Sequence, residues 1–258
     1  MPPVSDQSPT ILAVDGYTKA YGSLVAVQGL SVRVEPGQIV GLVGPNGAGK
    51  TTTMRAIAGI IPPSAGRLLV GGHDVVTDPV AAKRQLAYVP DDPKLFDALT
   101  VDEHLQFTAS IYGVAGWRTR ADALLERFEL APKRRALARE LSRGMRQKLA
   151  ICCAYLHEPR LIMFDEPMTG LDPLGIRTLK QSIRERAAAG AALLVSSHLL
   201  ALVEDLTTHL LILDRGVRRF AGSIEEARAS FGDASLEEVF FRATAPAASP
   251  PPPPPELP

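Results

Sequence analysis

The sequence is poor in cysteine. Among 258 residues only Cys152 and Cys153 occur, side by side in an apolar helical pattern. No disulfide framework or metal-ligand spacing can be built from such a pair, and buried, inert thiols in a reducing compartment are expected. An excess of charge of either sign is also missing. The formal net charge is +0, which removes the basic footprint of a chain that binds nucleic acid through bulk electrostatics. No apolar run approaches the roughly 18 residues that a membrane span requires. Met1-Pro2-Pro3-Val4-Ser5-Asp6 has neither the basic region nor the apolar core of a signal peptide. What remains is a globular chain, expected in the cytoplasm. It is long enough for one large α/β domain or for a core plus a subdomain.

The most informative stretch is Gly44-Pro45-Asn46-Gly47-Ala48-Gly49-Lys50-Thr51-Thr52, which has the pattern G-x-x-x-x-G-K-[ST]. It follows the apolar run Gln38–Val43, which reads as a buried parallel strand, and precedes Thr51–Ala58, which reads as a helix. A triphosphate needs several backbone N–H donors converging on one place, and a Gly-rich turn lets the main chain come that close. The positive end of the following helix adds to the attraction. Lys50 is expected at the β- and γ-phosphates, the Thr51 hydroxyl on Mg²⁺, and Thr52 on a further phosphate oxygen. The chain is expected to bind a nucleoside triphosphate.

Around this loop the pattern is α/β. Ile11–Val14 opens the ordered part, Leu30–Val34 and Leu86–Pro90 read as strands, and Arg67–Gly72 reads as a strand plus turn. Thr100-Val101-Asp102-Glu103 is a capping box that opens a helix through about Tyr112. Signals stay helical to about Tyr155, with an amphipathic segment at Asp122–Leu130, a break at Ala131-Pro132 and a new helix opening at Leu141-Ser142. Strands return at Leu161–Asp165, Leu193–Ser197 and Leu210–Leu213, with helices from about Gly175 to Ala188 and from Leu199. From Ala245 onward the chain is Pro/Ala/Ser, with consecutive prolines from Pro250 to Pro255. Such a tail is polyproline II or disordered, and serves as an SH3-type ligand, a spacer or an inert extension.

Leu161-Ile162-Met163-Phe164-Asp165-Glu166 is an apolar strand ending in two acids. Acids at the C-terminal end of a buried parallel strand face the crevice where α/β sheets bind ligands. Asp165 is expected to hold Mg²⁺ and Glu166 to polarise the attacking water as general base.

With these motifs in place, the sequence resembles the nucleotide-binding subunit of an ATP-binding cassette transporter from about Leu12 to Arg242. Leu141-Ser142-Arg143-Gly144 matches the family signature L-S-G-G-Q at Leu141, Ser142 and Gly144. The resemblance implies a P-loop NTPase (RecA-like) α/β core with an antiparallel β subdomain and an inserted α-helical subdomain. In residues this gives a flexible stretch at 1–10, an ATPase domain at 11–243 with helices at about 92–155, and a Pro-rich tail at 244–258.

The resemblance also implies a dimer in which Ser142 and Gly144 face the γ-phosphate held by a second ATP-binding subunit, with Asp172 bridging to that subunit. His198 then contacts the γ-phosphate and positions Glu166, and Tyr21 stacks on adenine. His73, His104, His157 and His209 carry no such placement and read as surface or core residues. Three positions depart from the family, among them Met145, which replaces the Gln of the signature. Asp91 stands where Gln usually contacts Mg²⁺ and water, and Arg143 replaces a Gly. Asp91 is expected to take over the role of that Gln at the Mg²⁺–nucleotide site. Asp92–Thr100, Ser142–Met145 and Leu236–Phe240 look like the bacterial export-type group. That likeness implies a separately encoded membrane permease and a position on the inner face of the plasma membrane. Leu95, Phe96 and Leu99 then either meet the permease or belong to the helical core. A soluble cassette ATPase of translation or DNA repair is the competing reading, and it lacks support in one phosphate loop, one signature and neutral charge.

Overall fold

The computed structural model describes residues 10–197, 204–232 and 235–244. Expectations that fall on residues 1–9, on His198 and the helix from Leu199, and on the tail from Ala245 lie outside the described residues.

Two sheets form the frame. The first is antiparallel, in the order β2-β1-β4-β5, with β1 (Leu12–Tyr21), β2 (Leu24–Val34), β4 (Ala65–Val70) and β5 (His73–Asp74). β1 and β2 form a longer ribbon than the alternation at Leu30–Val34 suggests, because Gly22-Ser23 closes a two-residue hairpin between Tyr21 and Leu24. The second sheet runs β10-β9-β3-β8-β7-β6, with β3 (Ile39–Val43), β6 (Leu86–Val89), β7 (Leu161–Asp165), β8 (Ala192–Ser197), β9 (His209–Asp214) and β10 (Val217–Ser223). From β9 to β6 it is parallel, and β10 adds an antiparallel edge. β3, β7 and β8 are buried at every position, as parallel strands covered on both faces must be.

Helices cover both faces of this sheet. One apolar cluster joins it to α3 (Val101–Tyr112), α4 (Trp117–Arg127), α5 (Arg143–Leu156) and α6 (Pro173–Ala188). A second joins the opposite face to α1 (Lys50–Ile57) and the antiparallel sheet. The fold is therefore the expected α/β P-loop NTPase architecture, with an antiparallel β layer and an inserted helical segment. α2 (Pro79–Arg84) is a single short helix before β6.

Local chemistry sets most boundaries. The Thr100 hydroxyl accepts from Glu103 N–H, and the Glu103 carboxylate accepts from Thr100 N–H at 2.7 Å, so the capping box opens α3 as read. His104 is buried and structural. One ring nitrogen bonds Thr100 carbonyl at 2.8 Å and the other accepts from Phe96 N–H at 3.0 Å, pinning the loop before α3. α4 differs from expectation, beginning at Trp117 rather than near Asp122, because Gly116 adopts a left-handed conformation that starts the helix earlier.

The C-terminal part was not legible beyond β9. β10 leads into α7 (Ile224–Phe231), which is followed by α8 (Leu236–Thr244), and the two helices close a third apolar cluster on β9 and β10. Ser223-x-x-Glu226 is a capping box that marks the α7 start and is the signal that could have revealed it.

Cys152 is fully buried, and burial pushes its thiol well above the ordinary value. Cys153 departs from the expectation of a fully buried thiol. It is only partly covered and lines a surface cleft, although desolvation raises it to about 11.

Candidate active site

Register decides where the motifs meet. Val43 pairs with Ser197 across β3 and β8, and Asp165 pairs with Ser196 across β7 and β8. The phosphate loop, the acidic pair and the two serines therefore leave the sheet at one edge, the carboxyl end of its parallel strands.

The loop itself is a tight turn onto α1. Gly49 adopts φ +101, and a Cβ there would lie 2.7 Å from Ala26 carbonyl, so no other residue fits without strain. Lys50 is buried and folds back, its ammonium donating to the carbonyls of Gly44 (2.7 Å) and Pro45 (3.3 Å). Burial lowers the Lys50 pKa from its ordinary value, and the negative charges of Glu166 and Asp165 oppose that shift. A cavity of about 230 Å³ lies over the loop, lined by Pro45 through Thr52, by Ala26 and by Glu166. The loop backbone, the lysine and a carboxylate thus share one cavity.

The acids are held by groups that the sequence reading did not single out. Ser196 Oγ donates to one oxygen of Asp165 at 2.6 Å, and Tyr88 OH donates to the other at 3.1 Å. Glu166 N–H in turn donates to Ser196 Oγ at 3.1 Å. Glu166 sits at φ +50, an uncommon conformation for a non-glycine residue and one that costs of order 1–3 kcal/mol. The surrounding register over-determines it: the strand before it is fixed by pairing, and Pro167 and the turn with Thr169 N–H on Glu166 carbonyl follow it. Ser196 was visible only as part of the serine pair preceding His198, and Tyr88 only as a strand residue. His198 is outside the described residues.

The signature residues gather around the turn that follows Glu166. Ser142 caps α5, its Oγ accepting from Met145 N–H at 3.3 Å. Gly144 packs so close to this turn that a Cβ would lie 2.6 Å from Gly170 carbonyl, which gives that glycine a structural reason. Asp172 is engaged within its own subunit, capping α6 through Gly175 N–H (3.1 Å) and lying 3.6 Å from the Lys148 ammonium. Two of the departures from the family pattern meet each other. Arg143 donates to Asp91 at 3.0 Å, and both side chains are about half exposed. Arg146 repeats the contact one turn on, with Asp97 at 3.1 Å. Tyr21 is 49% exposed with the Lys19 ammonium 5.0 Å above its ring, while Tyr17 is the buried aromatic that bonds α1 at Thr52 carbonyl.

The family described as ABC transporter matches residues 27–169. The chain is 38% identical over 239 residues to the ABC-type transporter ATP-binding protein EcsA of Bacillus subtilis, covering 91% of this chain and 97% of that one. It is 35% identical over 232 residues to the daunorubicin resistance ATP-binding protein DrrA3 of Streptomyces coeruleorubidus, covering 89% and 73%. It is also 37% identical over 221 residues to a Nod factor export ATP-binding protein I of Ralstonia nicotianae, covering 85% and 69%. A solved structure of an ATP binding subunit of an ABC transporter superposes with a TM-score of 0.88 at 36% identity, covering 91% of this chain and 100% of that one. The relatives are transporter subunits, so the reading as a translation or repair ATPase is set aside. A phosphate loop that shares a cavity with a carboxylate, on this fold and with these relatives, places the chain among the ATP-binding subunits of ABC transporters, a family of ATPases.

Proposed function

We propose that the chain is the ATPase of an exporter and drives a separately encoded membrane permease from the inner face of the plasma membrane. The observation that carries the catalytic part is Glu166, which lines the same cavity as the phosphate loop from a backbone conformation held by Ser196. In this reading Gly44 through Thr52 hold the phosphates of ATP, and the Lys50 ammonium exchanges its two carbonyl partners for phosphate oxygens. Tyr21 offers its exposed ring to adenine. Glu166 takes a proton from the attacking water, and His198 contacts the γ-phosphate. Ser142 and Gly144 present α5 to the ATP of a second subunit, and Asp172 meets that subunit.

Among the described residues no cluster of three or more His, Cys, Asp or Glu side chains is suited to hold a metal ion. The Thr51 hydroxyl and Asp165 carboxylate, with Asp91 nearby in sequence to β6, are too few donors for a dedicated metal centre. They suit Mg²⁺, which takes one or two protein ligands and completes its shell with phosphates and water. Mg²⁺ bound in this way would neutralise phosphate charge.

Export is supported by the relatives named for drug resistance and Nod factor export. Among the described residues no helix is long and apolar enough to cross a membrane, and in this reading the permease is a separate chain. An apolar surface suits that contact. A cleft of about 430 Å³ between the sheet edge and the helical segment is lined by Ile60, Pro93, Leu95 and Tyr112, among others. Phe96 is 55% exposed beside it and stacks edge-on with Phe107 at 5.3 Å. Leu95 packs partly on the helical core as well. To test the reading, the tagged Glu166→Gln chain is purified from native cells in detergent with ATP. A polytopic membrane protein is expected in stoichiometric amount, and recovery of ribosomes, nucleic acid or soluble partners alone would remove the transporter role.

The Asp91–Arg143 pair bears on how Asp91 takes the position of the family's Gln. A carboxylate near the γ-phosphate is repulsive unless neutralised, and Arg143 supplies the charge. Asp91→Ala is expected to lower the ATPase rate about two- to fivefold, the range of a half-exposed pair. Arg143→Ala is expected to act in the same direction, and the double variant to fall less than the product of the singles. An Asp91→Ala rate equal to that of the unaltered chain would show that Asp91 has no part in turnover.

A further inference from the structure

Tyr88 belongs to two places at once. It lies on β6, the edge strand of the parallel sheet, and lines the cleft between that edge and the helical segment together with Leu95, Tyr112 and Cys153. Its hydroxyl, on the other side, donates to Asp165 at 3.1 Å, and Arg55 of α1 faces the same phenol. A hydrophobic strand residue at this position needs no hydroxyl for packing. A half-buried hydroxyl is costly unless bonded, and here its partner is the carboxylate. Ser196 holds the other Asp165 oxygen but is fully buried and does not line the cleft. Asp165 is thus clamped from two sides, and only one clamp touches the outside.

We propose that Tyr88 is a positioning residue that ties the cleft to the Asp165 carboxylate, so that whatever fills the cleft and whatever binds at Asp165 set each other's geometry. The proposal rests on the reading of Asp165 as a ligand, direct or through water, of the nucleotide-bound Mg²⁺. It does not require that the cleft's occupant be a permease. Partners that orient a metal ligand typically change metal affinity by about 10–100-fold when removed. The geometry assigns Tyr88 this role beside Ser196 and adds the link outward.

The test uses the full chain without a permease. Tyr88→Phe removes only the hydroxyl, and it is expected to raise the Mg²⁺ concentration for half-maximal ATPase by about tenfold. Manganese bound with a non-hydrolysable ATP analogue, read by electron paramagnetic resonance, is expected to weaken in parallel. The second readout is the alkylation rate of Cys153 in the cleft, Cys152 being fully buried. In the unaltered chain Mg²⁺–ATP is expected to change that rate severalfold. Tyr88→Phe is expected to abolish the response, whereas Ser196→Ala shifts the Mg²⁺ midpoint and keeps it. Asp165→Asn separates the premise from the inference. If it leaves the Mg²⁺ midpoint unchanged, the metal assignment fails and the proposal with it. If it moves the midpoint but Tyr88→Phe does not, or if Cys153 in Tyr88→Phe still responds to nucleotide, Tyr88 is not the link.

Discussion

Glu166→Gln is expected to slow ATP hydrolysis by roughly 10²–10⁴-fold, the usual contribution of a general base, while ATP stays bound. The amide keeps the size of the carboxylate but cannot accept the proton of the attacking water. The φ +50 backbone and the Ser196 bonds to Glu166 N–H do not depend on the side chain, so the fold and the loop cavity should persist. Phosphate release measured at saturating ATP, beside retention of labelled ATP on the purified chain, separates the two effects. A rate within a few-fold of the unaltered chain would assign the base elsewhere. Loss of ATP binding together with hydrolysis would instead mean that Glu166 supports the loop.

Phe164→Ala is expected to cost about 3–5 kcal/mol of stability, the range for removing a fully buried aromatic. Phe164 has no exposed surface and meets Tyr155 of α5 edge to face, with ring centroids 6.1 Å apart. It lies on β7 directly before the two acids, so the cavity left behind also loosens the strand that delivers them. For a chain of this size each kcal/mol lowers the melting temperature by about 2–4 °C, so a fall of roughly 10 °C is expected in thermal unfolding. Residual ATPase should decline steeply on warming, well before the unaltered chain loses activity. A melting temperature within 2–3 °C of the unaltered chain, on the same scale, would mean that the α5–β7 seam repacks.

The sequence alone was enough for the phosphate loop, the strand ending in Asp165 and Glu166, the capping box at Thr100 and the family. These are local patterns: period, turn chemistry and fixed spacing lie within a dozen residues of one another. It also gives the formal net charge of +0, which follows from composition. Other features needed residues far apart in the chain. Tyr88, Asp165 and Ser196 become one cluster only when β6, β7 and β8 pair in register. Asp91 and Arg143 were each read as isolated departures, and the fold makes them partners across 52 positions. Gly144 looked like part of an anion site, and its close approach to Gly170 shows a packing demand as well. Periodicity and spacing record what a segment does with its own neighbours. Which distant side chain completes a hydrogen bond is decided by strand order and register, and those are set by burial of the whole sheet.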